Sequence, residues 1–108
     1  MQEISRRLYK RGGSYEVTIP SAILWNLDLK KKHNIIFQLL GGKWSFSFEE
    51  LGREKPSPDK ILRKLYKKGD SYETTLPHPV LFGLNQDKGY LVVFTFDKNW
   101  YISFREVM

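Results

Sequence analysis

The chain has 108 residues, of which 41% are hydrophobic and 15% aromatic, and it contains no cysteine. This length suits one ordinary domain or two very small units, and the apolar content is too high for a disordered chain. The absence of cysteine excludes disulfides and thiolate metal sites, while a net charge of +6 favours an anionic partner, nucleic acid before membrane.

The N-terminal segment MQEISRRLYK lacks the apolar stretch of a signal peptide. No apolar run elsewhere approaches the ~20 residues that a membrane span needs. We therefore expect a soluble, cytoplasmic protein without a membrane partner.

The first predicted elements belong to a phrase that occurs twice. LYKRGGSYEVTIP begins at Leu8 and LYKKGDSYETTLP begins at Leu65, an offset of 57 (65 − 8), and nine of the thirteen positions are identical. The similarity continues to the aromatic segments KWSFSFEEL and NWYISFREV, which end the two halves. The joint between them, LGREKPSPDK, has the prolines and mixed charge of a linker. The sequence predicts a first repeat at 1–50, a linker at 51–60 and a second repeat at 61–108, both repeats forming one compact body.

Each repeat begins with a predicted hairpin. Residues 6–11 indicate a strand of mixed character, and the glycine-containing segment after them is typical of a turn. Apolar and polar residues then alternate from Tyr15 to Ile19, as in a strand with one apolar face. Pro20 ends the pairing because proline has no N–H, and the second repeat follows the same pattern up to Pro77.

A short helix and a second hairpin complete each repeat. Ile23, Leu24 and Leu27 have helical spacing, but only over about two turns. Asp28, and Asn85 in the second repeat, stand where the helix should end, so we expect a left-handed backbone with φ > 0 at one or both. Two alternating segments then predict two more strands, and each repeat becomes ββαββ. The aromatic residues of these strands alternate as core residues do: Trp44, Phe46, Phe48 and Trp100.

A unit of this size cannot bury an adequate core alone, because below roughly 40–50 residues a chain usually needs a staple or a partner. The sibling repeat is the obvious partner. We therefore predict a mostly β protein with short helices, in which two ββαββ repeats interlock about a pseudo-twofold axis.

The order of strand, turn, VTIP, short apolar helix, polar turn and strand resembles the AbrB/SpoVT/MazE-like swapped-hairpin DNA-binding domain family. The resemblance covers residues 4–50 and 61–107 and is most specific at YEVTIP…LDLKKKHNIIF and YETTLP…LNQDKGYLVVF. It implies a barrel built by exchange of hairpins, here as an intramolecular pseudo-twofold swapped-hairpin barrel, and it implies DNA binding.

The chain departs from the family pattern where family members carry basic residues. Tyr-Glu replaces the common Gly-Arg pair before the IP strand, and apolar pairs replace the arginines of the helix. The positions concerned are Tyr15-Glu16, Tyr72-Glu73, Leu24-Trp25 and Leu81-Phe82. Asp28 and Asn85 replace a glycine at the end of the helix.

Basic side chains cluster on the first strand of each repeat. The predicted nucleic-acid contacts are Arg6, Arg7, Lys10, Arg11, Arg63, Lys64, Lys67 and Lys68. Clustered long cations neutralise phosphates and release counterions, and a pseudo-twofold would make the clusters symmetry mates suited to a pseudo-palindromic duplex. The alternative is that these charges only keep edge strands from aggregating. The second basic run, LKKKH at 29–33, is interpreted as a solvated turn.

The sequence therefore predicts duplex DNA binding, sequence-tolerant or pseudo-palindromic, by a transcription regulator. We expect no enzyme activity, cofactor or metal site, because His33 and His78 are unmatched between repeats and lack neighbouring ligands. One alternative is an antitoxin-like or adaptor module whose protein partner meets the matched Glu-x-Thr faces, although Glu16 and Glu73 are more simply interpreted as ion-pair partners of nearby cations. Another is an RNA- or ribosome-associated basic protein. Self-association beyond a single-chain pseudo-dimer is left open.

Overall fold

Antiparallel strands make up most of the protein. The computed structural model describes residues 2–52 and 57–107. Its strands are β1 (Gln2–Arg7), β2 (Tyr9–Arg11), β3 (Ser14–Ile19), β4 (His33–Leu40), β5 (Lys43–Glu50), β6 (Lys60–Lys68), β7 (Ser71–Thr75), β8 (Gly89–Asp97) and β9 (Asn99–Val107). Two 3-10 turns, Ser21–Leu24 and His78–Leu81, follow β3 and β7.

The strands form one sheet that curls into a nearly closed antiparallel β barrel. Their order is β1-β8-β9-β5-β4-β6-β7-β3-β2. β1 and β2 lie at opposite ends of this order, yet only Leu8 separates them in the chain. The Leu8 N–H donates to the Tyr90 carbonyl at 3.0 Å, so pairing with the β8 segment continues across the break.

The pairing register is the same in the two halves of the chain at an offset of 57. Glu3 of β1 lies opposite Thr95 of β8, and Lys60 of β6 lies opposite Gln38 of β4. In the same way β2 pairs with β3, and the end of β6 pairs with β7. In each half, the first extended segment (β1 with β2, or β6) therefore pairs at its start with a strand of the other half. Its end pairs with its own hairpin partner.

Two further ladders join the halves directly. Val17 of β3 lies opposite Thr74 of β7, and these residues occupy matched positions 57 apart. Ser45 of β5 lies opposite Tyr101 of β9, which is its match at an offset of 56. Each ladder is centred on equivalent residues of the two halves.

The core lies inside the barrel and takes residues from both halves. Val17, Ile35, Phe37, Val92 and Phe94 are all 0% exposed, and burying each contributes about 1.5–3 kcal/mol. The expectation that the alternating aromatics belong to the core is confirmed. Phe46 is buried and Trp44, Phe48 and Trp100 pack against it or its neighbours.

The predicted two-turn α-helices are wrong: each is a single 3-10 turn of four residues. Four residues cannot establish an i→i−4 hydrogen-bond series. Pro20 and Pro77 occupy the N-cap positions, and neither turn has a side-chain cap. After the first turn the chain folds straight into a β-turn, in which the Leu27 N–H donates to the Leu24 carbonyl at 3.0 Å.

The predicted left-handed backbone at Asp28 or Asn85 is also wrong. Within residues 2–52 and 57–107, the non-glycine residue with positive φ is Lys98 alone. Asp28 Oδ1 instead accepts the Lys30 N–H at 3.1 Å, and Asn85 Oδ1 accepts the Asp87 N–H at 2.9 Å. These Asx turns redirect the chain through side-chain acceptors, so no left-handed exit is needed.

No helix in the described part of the chain is both long and apolar enough to traverse a membrane. The predicted linker, 51–60, lies partly outside the described residues, at 53–56, and its last residue, Lys60, already begins β6.

Candidate nucleic-acid interface

The eight predicted cations are distributed over several surfaces. Lys64 and Lys67 line one cavity, Lys10 lines a second, and Arg6 lines a third that also carries Asp70. Arg11 is held in ion pairs. The remaining three are Arg7 and Lys68, which are exposed, and Arg63, which is half-buried. The Arg6 and Arg63 guanidiniums each donate to the carbonyl of the preceding residue at 2.8 Å.

The most basic of these surfaces is a cavity of about 370 Å³ beside β6, here named the lysine groove. It is lined by Leu29, Lys30, Lys31, Lys32, His33, Leu51, Lys64, Leu65, Tyr66, Lys67 and Tyr72. Five of these residues are lysines and none carries a carboxylate. Lysine stems, leucines and tyrosines supply apolar walls, and the ammonium groups supply positive charge.

Strand pairing brings the two basic segments of the groove together. In the β4–β6 ladder, His33 lies opposite Leu65 and Asn34 lies opposite Lys64. Residues 30–32, which precede β4, therefore run beside the part of β6 that follows Leu65. The Asx turn at Asp28 sets the direction of this run, and the Leu51 N–H donates to the Lys32 carbonyl at 2.9 Å.

The prediction of a solvated turn at LKKKH is confirmed for residues 29–32, but His33 already begins β4 and is buried, and the position of the run beside β6 was not predicted. Lys30, Lys31 and Lys32 are all exposed, while His33 is 6% exposed. The β4–β6 register places the run next to Lys64 and Lys67. The partner of β6 cannot be identified from local sequence pattern, so the sequence alone did not show this proximity.

Most of the lysines in the groove have no acidic partner within residues 2–52 and 57–107. The Lys31 ammonium lies 3.4 Å from Glu50 Oε1, an ion pair at the rim. Lys30, Lys32, Lys64 and Lys67 make no ion pair with any residue that the structure describes. Four lysines around one concave surface, without an acidic partner among the described residues, favour a positive potential that attracts anions.

A smaller cavity of about 280 Å³ occupies the matched position in the other half of the chain. Five of its lining residues match lining residues of the lysine groove at an offset of 57. In the order of their partners Leu65, Lys67, Tyr72, Lys31 and His33, they are Leu8, Lys10, Tyr15, Lys88 and Tyr90. The Lys88 ammonium lies 2.7 Å from Glu106, and this hydrogen-bonded carboxylate raises the pKa of Lys88. The cavities are therefore equivalent in position but unequal in charge.

Arg11 is engaged in a cluster on the outer face of β2, β3 and β7. Its Nη1 lies 3.0 Å from Glu16 Oε1 and 3.2 Å from Glu73 Oε1. The carboxylate side chains are only 15% and 10% exposed. The interpretation of Glu16 and Glu73 as ion-pair partners is confirmed. A phosphate at Arg11 would have to compete with two carboxylates already in place.

Tyr66 joins this cluster from β6. Burial raises the pKa of the Tyr66 phenol, and the Glu16 and Glu73 carboxylates act in the same direction. The Tyr66 phenol interacts with Glu16, and the same side chain also lines the lysine groove.

Comparisons of the chain with protein families, with curated proteins and with solved structures give no match. The resemblance to the AbrB/SpoVT/MazE-like family therefore remains a prediction from the sequence motifs.

Proposed function

We propose that the protein binds duplex DNA through the lysine groove and works as a cytoplasmic transcription regulator. The observation that carries this proposal is the convergence of five lysines, from two separate segments, on a concave surface with no carboxylate among the lining residues that the structure describes. Neutralised phosphates release counterions, which is the main driving term for such contacts. A duplex offers the dense row of phosphates that this spread of cations matches.

The groove favours sequence-tolerant binding over recognition of a pseudo-palindrome. Arg, Asn and Gln make planar bidentate contacts with base edges, and lysine can also contact guanine. Among the described residues, no Arg, Asn or Gln lines the groove. Lysine acts as a flexible point charge, so the expected contacts are to the backbone, with DNA shape contributing to preference.

We further propose that the two halves are repeats that interlock by exchanging hairpins, with a 3-10 turn in place of the predicted helix. The matched registers of β1–β8 and β6–β4 support this, as do the two ladders centred on equivalent residues. The exchange matters for function because β6, from the second half, is what meets residues 30–32 of the first half.

The test is duplex affinity, measured by fluorescence anisotropy, for the double variant Lys64→Gln/Lys67→Gln. Because both side chains line the groove, we expect affinity to fall roughly tenfold to a hundredfold. The matched control is Lys43→Gln/Lys60→Gln, which removes the same charge. Lys43 and Lys60 lie opposite Leu40 and Gln38, so at about 3.3 Å per residue they are roughly 17 Å or more along β4 from the groove.

Equal losses of duplex affinity in the two double variants would contradict binding at the groove. They would show that affinity depends only on the net charge of the protein. The same assay with duplex RNA tests the RNA-associated alternative, which requires tighter binding to RNA than to DNA. The protein-partner alternative is less well supported, because the Glu16 and Glu73 carboxylates are mostly covered and already paired with Arg11.

A further inference from the structure

Two aromatic side chains project from the protein at matched positions. Trp25 is 84% exposed and Phe82 is 91% exposed, and they are 57 residues apart in the chain. They are the most exposed large hydrophobic residues among those the structure describes. A single exposed apolar side chain is ordinary on a protein surface, but an equivalent pair with this exposure needs a reason.

Each aromatic residue occupies the tip of an anchored β-turn. The Leu27 N–H donates to the Leu24 carbonyl at 3.0 Å, and the Leu84 N–H donates to the Leu81 carbonyl at 3.1 Å. Leu24 is buried, and Leu27 and Leu81 pack against the core. The aromatic ring is therefore held at a fixed corner by leucines on one or both sides of it.

The two corners reach this position through different backbones. Trp25 has φ −52° and ψ −40°, as in the first central position of a type I turn. Phe82 has φ −57° and ψ 132° and is followed by Gly83 at φ 88°, which describes a type II turn. An aromatic residue is present at the corner in both cases, although the turn itself does not require one.

Basic residues lie near both corners. Leu24, the residue before Trp25, lines a cavity that contains both Arg6 and Asp70, and Lys30 of the lysine groove follows five residues after Trp25. Leu81 and Leu84, on either side of the second tip, line the same cavity as Lys10. A partner suited to these corners must combine negative charge with flat apolar faces, and nucleic acid has both in its phosphates and bases.

We propose that Trp25 and Phe82 are wedges that enter the bound duplex and pack against its base pairs. This inference rests on the proposed duplex binding. A convex, rigid corner fits a groove of a duplex, and apolar side chains inserted at a base step unstack it and kink the DNA. The lysines then bind the phosphates. The aromatic corners insert most readily at base steps that unstack easily, so binding should favour flexible pyrimidine–purine steps.

The test combines affinity, salt dependence and bending on a duplex of about 25 base pairs labelled at both ends for energy transfer. In Trp25→Ala/Phe82→Ala we expect affinity to fall roughly tenfold or more and the protein-induced bend to be lost. The slope of log affinity against log salt should stay unchanged, because no phosphate contact is removed. Trp25→Phe should retain most of the bend.

The matched control is Leu39→Ala/Phe96→Ala, a second equivalent pair of exposed apolar residues, at 52% and 43% exposure, in β4 and β8. It should bind and bend the duplex as the unmodified protein does. If the aromatic variant binds and bends the duplex normally, the wedge is wrong while the proposed function stands. If the unmodified protein binds no duplex, both are wrong. The aromatic variant could instead bend DNA normally but lose self-association or binding to phosphatidylglycerol vesicles. That result would assign the two corners to another partner and would also overturn the wedge.

Discussion

At the scale of single residues, one strained position follows from a length difference between the halves. The turn between β4 and β5 contains Gly41 and Gly42, with φ values of 56° and 80°. The turn between β8 and β9 is one residue shorter, since Trp44 and Trp100 are 56 rather than 57 apart. Lys98 alone spans this turn between the paired residues Asp97 and Asn99, and it takes φ 64°. A side chain in the left-handed region costs roughly 1–2 kcal/mol.

Glycine at this position should relieve the strain. We expect Lys98→Gly to raise the free energy of unfolding by up to about 1 kcal/mol, and Lys98→Val to lower it by about 1–2 kcal/mol. Urea denaturation followed by tryptophan fluorescence measures both. The control is Lys43→Gly in the extended strand β5, where glycine should be destabilising by about 0.5–1 kcal/mol. Stabilisation by valine at 98 would show that the left-handed backbone is not strained there.

The backbone conformation at Asp28 and Asn85 could not be predicted from residue type alone. Asp28 and Asn85 were assigned a left-handed backbone because both residue types tolerate it. The same short polar side chains can instead accept a backbone N–H two residues later, and this alternative is the one that forms. Local propensity allows both the left-handed backbone and the Asx turn. Which of the two forms depends on where the following strand must begin.

At the scale of elements, the strands were predictable because alternation leaves a strong period-two signal. β3, β4, β5 and β7 to β9 lie where apolar residues alternate in the sequence. The 3-10 turns were predicted as helices because a two-turn apolar segment looks the same in either case. The pairing between halves left no local signal, and it was expected only from the small size of each repeat and from the family resemblance.

The pairing of strands from one half with strands of the other predicts that neither half is an independent unit. Residues 1–54 contain β1 to β5 but lack β8, with which β1 pairs, and β6, with which β4 pairs. Expressed alone, this fragment should be unfolded or should form a homodimer in which two copies replace the missing strands. Light scattering with two-dimensional NMR distinguishes these states. A folded, monomeric fragment would rule out the interlocked arrangement.

At the scale of the whole molecule, symmetry of the backbone does not extend to charge. The two halves share strand registers and the positions of two matched cavities, and residues 1–50 and 60–108 each carry eight basic and five acidic residues. Yet the lysine groove collects five lysines, whereas the matched cavity has two, one of them paired with Glu106. Net charge per repeat could be counted from the sequence, but the convergence of 30–32 on β6 required the fold.

Under the proposed duplex binding, this asymmetry predicts how the duplex is oriented on the protein. A protein with two equal sites would favour a pseudo-palindromic duplex, with half-sites related by its twofold axis. One strong and one weak site instead fit binding in a single orientation, with most phosphate contacts on one side. Arg11 adds little to either site while it remains bound to Glu16 and Glu73.

The most direct test of duplex binding by the lysine groove is the salt dependence of affinity. Each phosphate contact contributes about 0.9 to the slope of log affinity against log salt concentration. Titrations of a DNA duplex over a range of salt should therefore show a slope that is smaller in magnitude by roughly two units in Lys64→Gln/Lys67→Gln. The slope in Lys43→Gln/Lys60→Gln should match that of the unmodified protein. Parallel lines for all three proteins would contradict phosphate binding in the groove.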